Sequence, residues 1–378
     1  MIYFDNAAST PLFPEVVEEI NNTMSHAFGN PSSIHSFGRT AKVVLEEARN
    51  IISELIHASP SEIVFTSGGT EANNMALWGC VHSYNIQHII TSRTEHPAVL
   101  KPIDDICKTL GVKLSFLSTD KNGQIALSEL ENILENENEP TLVSLMHANN
   151  ETGLLLPLKD VSALCAKHNT FFHTDMVQTI GKFHINFKHI PVSFASCSAH
   201  KFHGPKGIGF LYINEKNKIK PYILGGSQER NMRAGTENVY LIAGMAKAIE
   251  LCHNNMEETQ KYITVLKNYT TEKLKEFEGV TYNASSDKGG LHTILSINFP
   301  ELPQTEMLIQ QLDIEGIAVS GGSACASGSF HSSHVLQQLN VKPDTPSLRI
   351  SFSKYNTKNE INKFIEVLRK IVHHEKKN

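Results

Sequence analysis

Lys201 stands in SAHKFHGPKGIGF (198–210), directly after an apolar run and before a glycine-rich turn. At the carboxyl edge of an α/β sheet, where such folds gather ligands, a lysine amine can condense with a carbonyl group if its surroundings favour the neutral form. A solvated surface lysine is the other use of the same residue. Asp175 ends FFHTD, one helix and one strand upstream. A carboxylate at that place can keep a pyridine nitrogen protonated, which is what pyridoxal phosphate needs in order to act as an electron sink; it can equally cap a turn. TSGGTEAN (66–73) reads as a strand, a Gly-Gly turn and a helix start. There Gly69 lets backbone N–H groups approach an oxyanion, Thr70 adds a hydroxyl, and the helix N-terminus adds positive potential. No Gly-Lys-Ser/Thr follows, so it is not a nucleotide-type phosphate loop, and a plain turn with a threonine cap fits the same letters. Ser198 and His200, flanking the lysine, add side-chain donors.

Three further residues complete the candidate set. His96, in TEHPAV after a strand end, can stack on a flat ring and shuttle a proton, or simply open a helix in solvent. Cys325 lies in VSGGSACASGSFHSSH (319–334), a stretch too poor in apolar residues to pack, so an accessible thiol on a mobile loop is expected. Arg349, in SLRISFS, is an arginine on an apolar strand and needs an anion: a substrate carboxylate held in a bidentate pair, or a structural Asp or Glu.

The elements that must position these residues follow from periodicity. Residues 36–57 place Ala41, Val44, Leu45, Ala48, Ile51, Ile52 and Leu55 at helical spacing. Strand-like runs at 62–67, 88–93, 112–118, 141–148, 171–175, 191–200 and 207–213 then alternate with helical patterns opening at Thr70 and spanning 96–108, 127–136 and 158–168. That alternation predicts an α/β fold with a mostly parallel sheet covered by helices on both faces. A second pattern starts near 255: a polar-faced helix (256–277), ILSINFP (294–300), a helix at 304–313, GIAVS (316–320), SLRISFS (347–353) and a terminal helix. It predicts a smaller α+β unit, with boundaries at 14–255 for the large domain and 1–13 plus 256–378 for the small one. The basic terminal helix is read as a solvated face.

Bulk properties narrow the function classes. A net charge of −5 provides no basic field for nucleic acid or anionic lipid. No run approaches the roughly 20 apolar residues of a membrane span, and MIYFDNAAST lacks the pattern of a secretory leader. Of the six cysteines, Cys80, Cys107, Cys165 and Cys252 fall in helical apolar patterns, where cysteine packs as a small hydrophobe. No CxxC pair occurs, so a reducing cytoplasm is expected.

Taken together the segments resemble the cysteine desulfurases of the NifS/IscS type, class V aminotransferase-like enzymes of pyridoxal-phosphate fold type I. The resemblance runs end to end through YFDNAAST (3–10), GNPSSIH (29–35), FTSGGTEANN (65–74), TEHPAVL (94–100), HANNETG (147–153), HTDMVQTIGK (173–182), SAHKFHGPKGIG (198–209), GGSQERNMRAGTEN (225–238) and SGGSACASGS (320–329). It implies a large domain with a seven-stranded, mostly parallel sheet and a smaller C-terminal domain carrying the Cys325 loop. It further implies that Lys201 is the Schiff-base lysine and the acid/base at the substrate Cα, and that Asp175 is the pyridinium partner. His96 stacks on the ring and is the candidate base for Cys325, and Gln178 donates to the phenolic oxygen. Gly69, Thr70, Ser198 and His200 hold the phosphate with Thr236 of a second subunit, which implies a homodimer. Asn150 and Arg349 hold the substrate carboxylate.

The implied reaction converts L-cysteine to L-alanine and leaves the sulfur on Cys325 as a persulfide. Its destination is a sulfur-acceptor protein such as an iron–sulfur scaffold, or thio-cofactor or tRNA biosynthesis. No metal site is implied beyond Cys325 as a transient iron–sulfur ligand. Two departures touch the acceptor: Phe330-His331-Ser332 stands where many relatives carry Leu-Glu-Pro, and the chain ends soon after its terminal helix. Other class V activities, an aminotransferase or a selenocysteine lyase, are the alternative function, and a non-catalytic binding subunit is a third.

Overall fold

HIIT (88–91), TLVS (141–144) and FASCS (194–198) are buried at every position, so both faces of their sheet are covered and the runs show no polar alternation. The computed structural model describes residues 1–120, 122–301, 305, 307–321 and 333–372. Its main sheet has seven strands in the order Ile63–Thr66, Gly209–Ile213, Phe194–Ser198, Phe171–Asp175, Thr141–Ser144, His88–Thr91 and Lys113–Phe116. Gly209–Ile213 pairs antiparallel with both neighbours, and every other pairing is parallel. Six strands therefore end at one edge of the sheet. The residues just past Thr66, Thr91, Ser144, Asp175 and Ser198, which carry most of the candidate chemistry, converge there.

A second layer of structure packs beside this sheet. Ser347–Ser351, Ile294–Asn298 and Thr281–Tyr282 form an antiparallel sheet, and Ile2–Tyr3 pairs in parallel with Ile317–Ala318. Phe4 is fully buried among Phe352 and Phe364, with ring centroids 5.7 and 5.9 Å away, so the first residues of the chain belong to the core of its last hundred. The terminal helix, Lys358–Val372, turns Ile361, Phe364, Ile365 and Leu368 onto the same core and leaves its lysines outside.

Two helices lie where the periodicity reading saw none. Val239–Asn254 is buried at half of its positions and packs on helices Pro14–His26 and Ser36–Leu55. Its sequence, VYLIAGMAKAIELCHN, is apolar around most of the cylinder, so no polar stripe marks its period. Pro14–His26 opens with proline at its first position, a start signal that was available, but its apolar face is short.

The helix Ser36–Leu55 is fastened by a buried ion pair. Arg49 donates to both Glu229 carboxylate oxygens, at 2.9 and 2.8 Å, and to the Ile63 carbonyl at 2.8 Å. The Phe65 N–H also donates to Glu229, so a strand, a helix and the 225–238 segment meet at one carboxylate. Arg49→Met leaves that carboxylate buried with a single donor. Urea unfolding is expected to show a loss of about 3–5 kcal/mol, the usual cost of stranding one member of a buried pair; a loss below about 1 kcal/mol would mean that Glu229 escapes to solvent.

Candidate active site

The convergent strand ends enclose a cavity of about 520 Å³. Lys201, Asp175, His96, Gly69, Thr70, Gln178, Ser198, His200, Asn150 and Arg349 all line it. Two sequence candidates do not. Thr236 is exposed and lies away from the cavity in this chain. Cys325 and the neighbouring 330–332 lie outside the described residues.

Lys201 ends a short 3-10 turn, Ala199–Lys201, that continues the strand Phe194–Ser198. Its amine donates to the Ala7 carbonyl at 2.7 Å and the Ala8 carbonyl at 2.8 Å, so the N-terminal segment holds the lysine by two backbone groups. Asp175 is only 7 % exposed. One oxygen accepts from Asn73 Nδ2 at 2.8 Å and the other from the Val177 N–H at 3.0 Å. Asn73 is oriented in turn: its Oδ1 can only accept, so His173 Nε2, 3.1 Å away, carries the proton, and His173 Nδ1 accepts from Ser144 Oγ at 2.8 Å. Burial pushes the His173 imidazole down to about 4, which keeps that ring neutral and the relay intact.

His96 caps the helix Pro97–Leu110, with Nδ1 accepting from the Ala98 N–H at 3.0 Å. This bond requires an unprotonated Nδ1. Burial lowers the His96 pKa, the charges of Lys201 and His334 lower it further, and Asp175 acts in the opposite sense. Beside it, Glu95 is buried and its pKa is raised well above the carboxylate range, first by burial and then by Asp175. Glu95 Oε1 accepts from the Met146 N–H at 2.7 Å, while Oε2 is without a hydrogen-bond partner among the described residues. Burial pushes the His200 imidazole down to about 4, with Lys201 contributing next.

The helix Gly69–Tyr84 starts without a side-chain cap, so its first-turn N–H groups face the cavity unclaimed by any cap side chain. Gly68 sits at φ +151, and a Cβ on Gly69 would come within 2.6 Å of Val177 Cγ2. This close-set, donor-rich cradle, with Ser198 and His200 beside it, suits a phosphate. A buried carboxylate on the same cavity suits a protonated ring nitrogen, and the Lys201 amine there suits an aldehyde; the residues present fit pyridoxal phosphate.

Arg349 has the structural acid partner that was one of its two expected uses. Its Nη2 donates to Asp5 Oδ1 at 2.8 Å and its Nη1 to the Asn150 carbonyl at 2.9 Å, so a structural acid partner exists. It nonetheless lines the cavity, and its buried Nε is without a hydrogen-bond partner among the described residues. The Asn150 backbone is set by its neighbour: Asn149 Oδ1 accepts from the N–H groups of Glu151 and Thr152, both at 2.9 Å. Just beyond the undescribed stretch 322–332, Ser333 Oγ donates to the Glu151 carboxylate and His334 Nε2 donates to the Glu95 carbonyl at 3.0 Å.

Sequence reasoning gave no role to Asn73, His173, Glu95, Ala7 or Ala8. All lie within quoted motifs, but their function is to orient other residues, which spacing does not reveal. Among the described residues no cluster of three or more His, Cys, Asp or Glu could hold a metal ion, and no helix is long and apolar enough to cross a membrane.

The chain belongs to the class-V aminotransferase family, whose model (aminotransferase class-V) matches residues 2–364. It is 42 % identical over 375 residues to the cysteine desulfurase IscS of Dictyoglomus turgidum, covering 98 % of this chain and 94 % of that one. Among solved structures it is similar to a NifS-like protein (TM-score 0.90, 35 % identity, 98 % of this chain and 99 % of that one). It is also similar to SspA in complex with cysteine (TM-score 0.81, 30 % identity, 94 % of this chain and 100 % of that one). Within the family its place is among the cysteine desulfurases, a group of pyridoxal-phosphate enzymes.

The crowding at Gly69 gives a direct check on the cradle. Gly69→Ala is expected to raise the apparent Kd for pyridoxal phosphate about tenfold, roughly 1.4 kcal/mol, in absorbance titrations of cofactor-stripped protein. An unchanged Kd would place the phosphate elsewhere.

Proposed function

We propose that this chain uses pyridoxal phosphate, held in the 520 Å³ cavity, to convert L-cysteine to L-alanine and to transfer the sulfur to Cys325. The observation that carries the reading is the meeting of Lys201, Asp175, His96 and the uncapped helix start at Gly69 in one cavity. When bound, the cofactor supplies an aldehyde that condenses with amines and a protonated ring that accepts an electron pair.

The protein's own groups do the rest. Asp175 holds the proton on the ring nitrogen, and Gln178 donates to the phenolic oxygen. Gly69, Thr70, Ser198 and His200 bind the phosphate, and His96 lies against the ring with a neutral imidazole. Arg349 and Asn150 receive the substrate carboxylate. The Lys201 amine would move the proton at the substrate Cα. The Cys325 thiolate, with His96 as the candidate base, attacks the substrate's sulfur. The S–S bond forms as the Cβ–S bond breaks, the carbon keeps the electron pair and takes up a proton, and alanine and a Cys325 persulfide result. The transfer needs no outside oxidant or reductant; sulfide release from the persulfide uses a thiol.

Thr236 is assigned to the phosphate of a second copy of the chain, as a homodimer. Its exposure supports this, as do the exposed Phe28, Ile34 and Phe37, with the two phenyl rings 5.2 Å apart. We take 14–255 as the cofactor-binding domain and 1–13 with 256–378 as the domain that carries Cys325. The persulfide is destined for an acceptor protein, such as an iron–sulfur scaffold or a tRNA-thiolation partner, and a reducing cytoplasm suits that chemistry.

The deciding experiment is incubation with L-cysteine and a thiol reductant, with alanine and sulfide measured together. Equal amounts are expected from the parent, and both are expected to vanish in Cys325→Ala; alanine formation that survives in the variant would indicate another class V activity. Because the neutral His96 persists below the ordinary histidine range, the acidic limb of kcat/KM that reports it is expected below pH 6.5. A limb above that value, shifted by His96→Gln, would contradict the assignment.

A further inference from the structure

Sharing Lys201 with the reaction cavity is a second, small cavity of about 50 Å³ that Lys182 also lines. The Lys182 amine donates to Gln178 Oε1 at 3.1 Å, and no carboxylate faces it among the described residues. The groups that act on it electrostatically, or on which it acts, are Lys201, Arg349, Cys252, His292, His200 and His203. Only Cys252 favours its charge. A buried cation among other cations is expensive to keep, and burial together with Lys201 pushes the Lys182 amine down to about 7.

The position has a definite geometric effect. A protonated lysine presents only hydrogens and a backbone carbonyl presents only lone pairs. Gln178 lies between one of each: its Oε1 takes the Lys182 hydrogen, and its Nε2 donates to the Ala7 carbonyl at 3.0 Å. Rotating the amide by half a turn would break both bonds and set oxygen against oxygen at Ala7. The Ala7 carbonyl is also the group that receives Lys201 at 2.7 Å, so the NH2 end of Gln178 is fixed next to the amine that does the chemistry.

We propose that Lys182 is a positioning residue for the desulfurase reaction: it fixes which end of the Gln178 amide faces the reacting amine, and its charge state sets the field on Lys201. The inference rests on the reading that Lys201 and Gln178 bind pyridoxal phosphate.

The test is the pH midpoint of the visible absorption band of the pyridoxal-phosphate-loaded protein. A positive charge at Lys182 disfavours a proton on the Lys201 nitrogen, and a donating amide disfavours one on the phenolic oxygen. Removing both effects raises the midpoint. Lys182→Met is expected to shift it upward by about one unit. Lys182→Gln, which keeps a donor without the charge, is expected to fall between parent and Lys182→Met. Gln178→Leu should also raise the midpoint, and the double variant Lys182→Met/Gln178→Leu should shift less than the sum. Thermal melts of the cofactor-free proteins check the fold, which loses only an amine held by one amide oxygen. A Lys182→Met midpoint equal to the parent's, or shifts that add in full, overturns the role of Lys182 while leaving the cofactor assignment intact. A parent protein that takes up no cofactor overturns both.

Discussion

Asp175 is an acid with little access to water, and much of the molecule around the sheet edge serves to keep its carboxylate in place. An unpaired carboxylate at such a site would take up a proton or drag in solvent. Here two N–H groups bind it, and the one from Asn73 is aimed by His173, which is aimed by Ser144. Three elements contribute: the parallel strands Thr141–Ser144 and Phe171–Asp175 and the helix Gly69–Tyr84. The relay also explains why Asn73, Ser144 and His173 are polar although each is buried. Each polar group satisfies the next, and the last presents a charge to the cavity.

Another part of the cavity lining comes from the two ends of the chain. Asp5 neutralises Arg349, Asn6 Nδ2 donates to the Ser351 carbonyl at 2.8 Å, and the carbonyls of Ala7 and Ala8 hold Lys201. Residues 3–10 thus lie between the large sheet and the antiparallel sheet and contact both. The Arg349 guanidinium thus faces the cavity beside groups anchored by both sheets.

Much of this was legible beforehand because strand ends carry the chemistry. An apolar run that stops at a Lys, Asp or Gly-Gly announces both the strand and the residue at its tip, which is why Lys201, Asp175 and Gly69 were found. Arg349 was found by contrast, as a charge on an apolar strand, though its pairing with Asp5, 344 positions away, depends on a parallel bridge between Asp5 and Ser351 that no local pattern encodes. Val239–Asn254 escaped because a helix buried on most sides loses its period. Asn73, His173 and Lys182 escaped for a different reason: a residue that acts by orienting another has ordinary spacing and an ordinary type. Thr236 was tied to the site only through a second copy, and a single chain leaves it outside.

The double hold of Ala7 and Ala8 on the Lys201 amine has a thermodynamic corollary. Any aldehyde that engages that nitrogen competes with two main-chain acceptors for it, so occupancy of the cavity and seating of the leading segment are linked functions. By reciprocity, whatever loosens the first ten residues changes ligand affinity by the same factor that the ligand changes their docking. The amino-terminal strand is therefore a thermodynamic partner of the cofactor site as well as part of its wall.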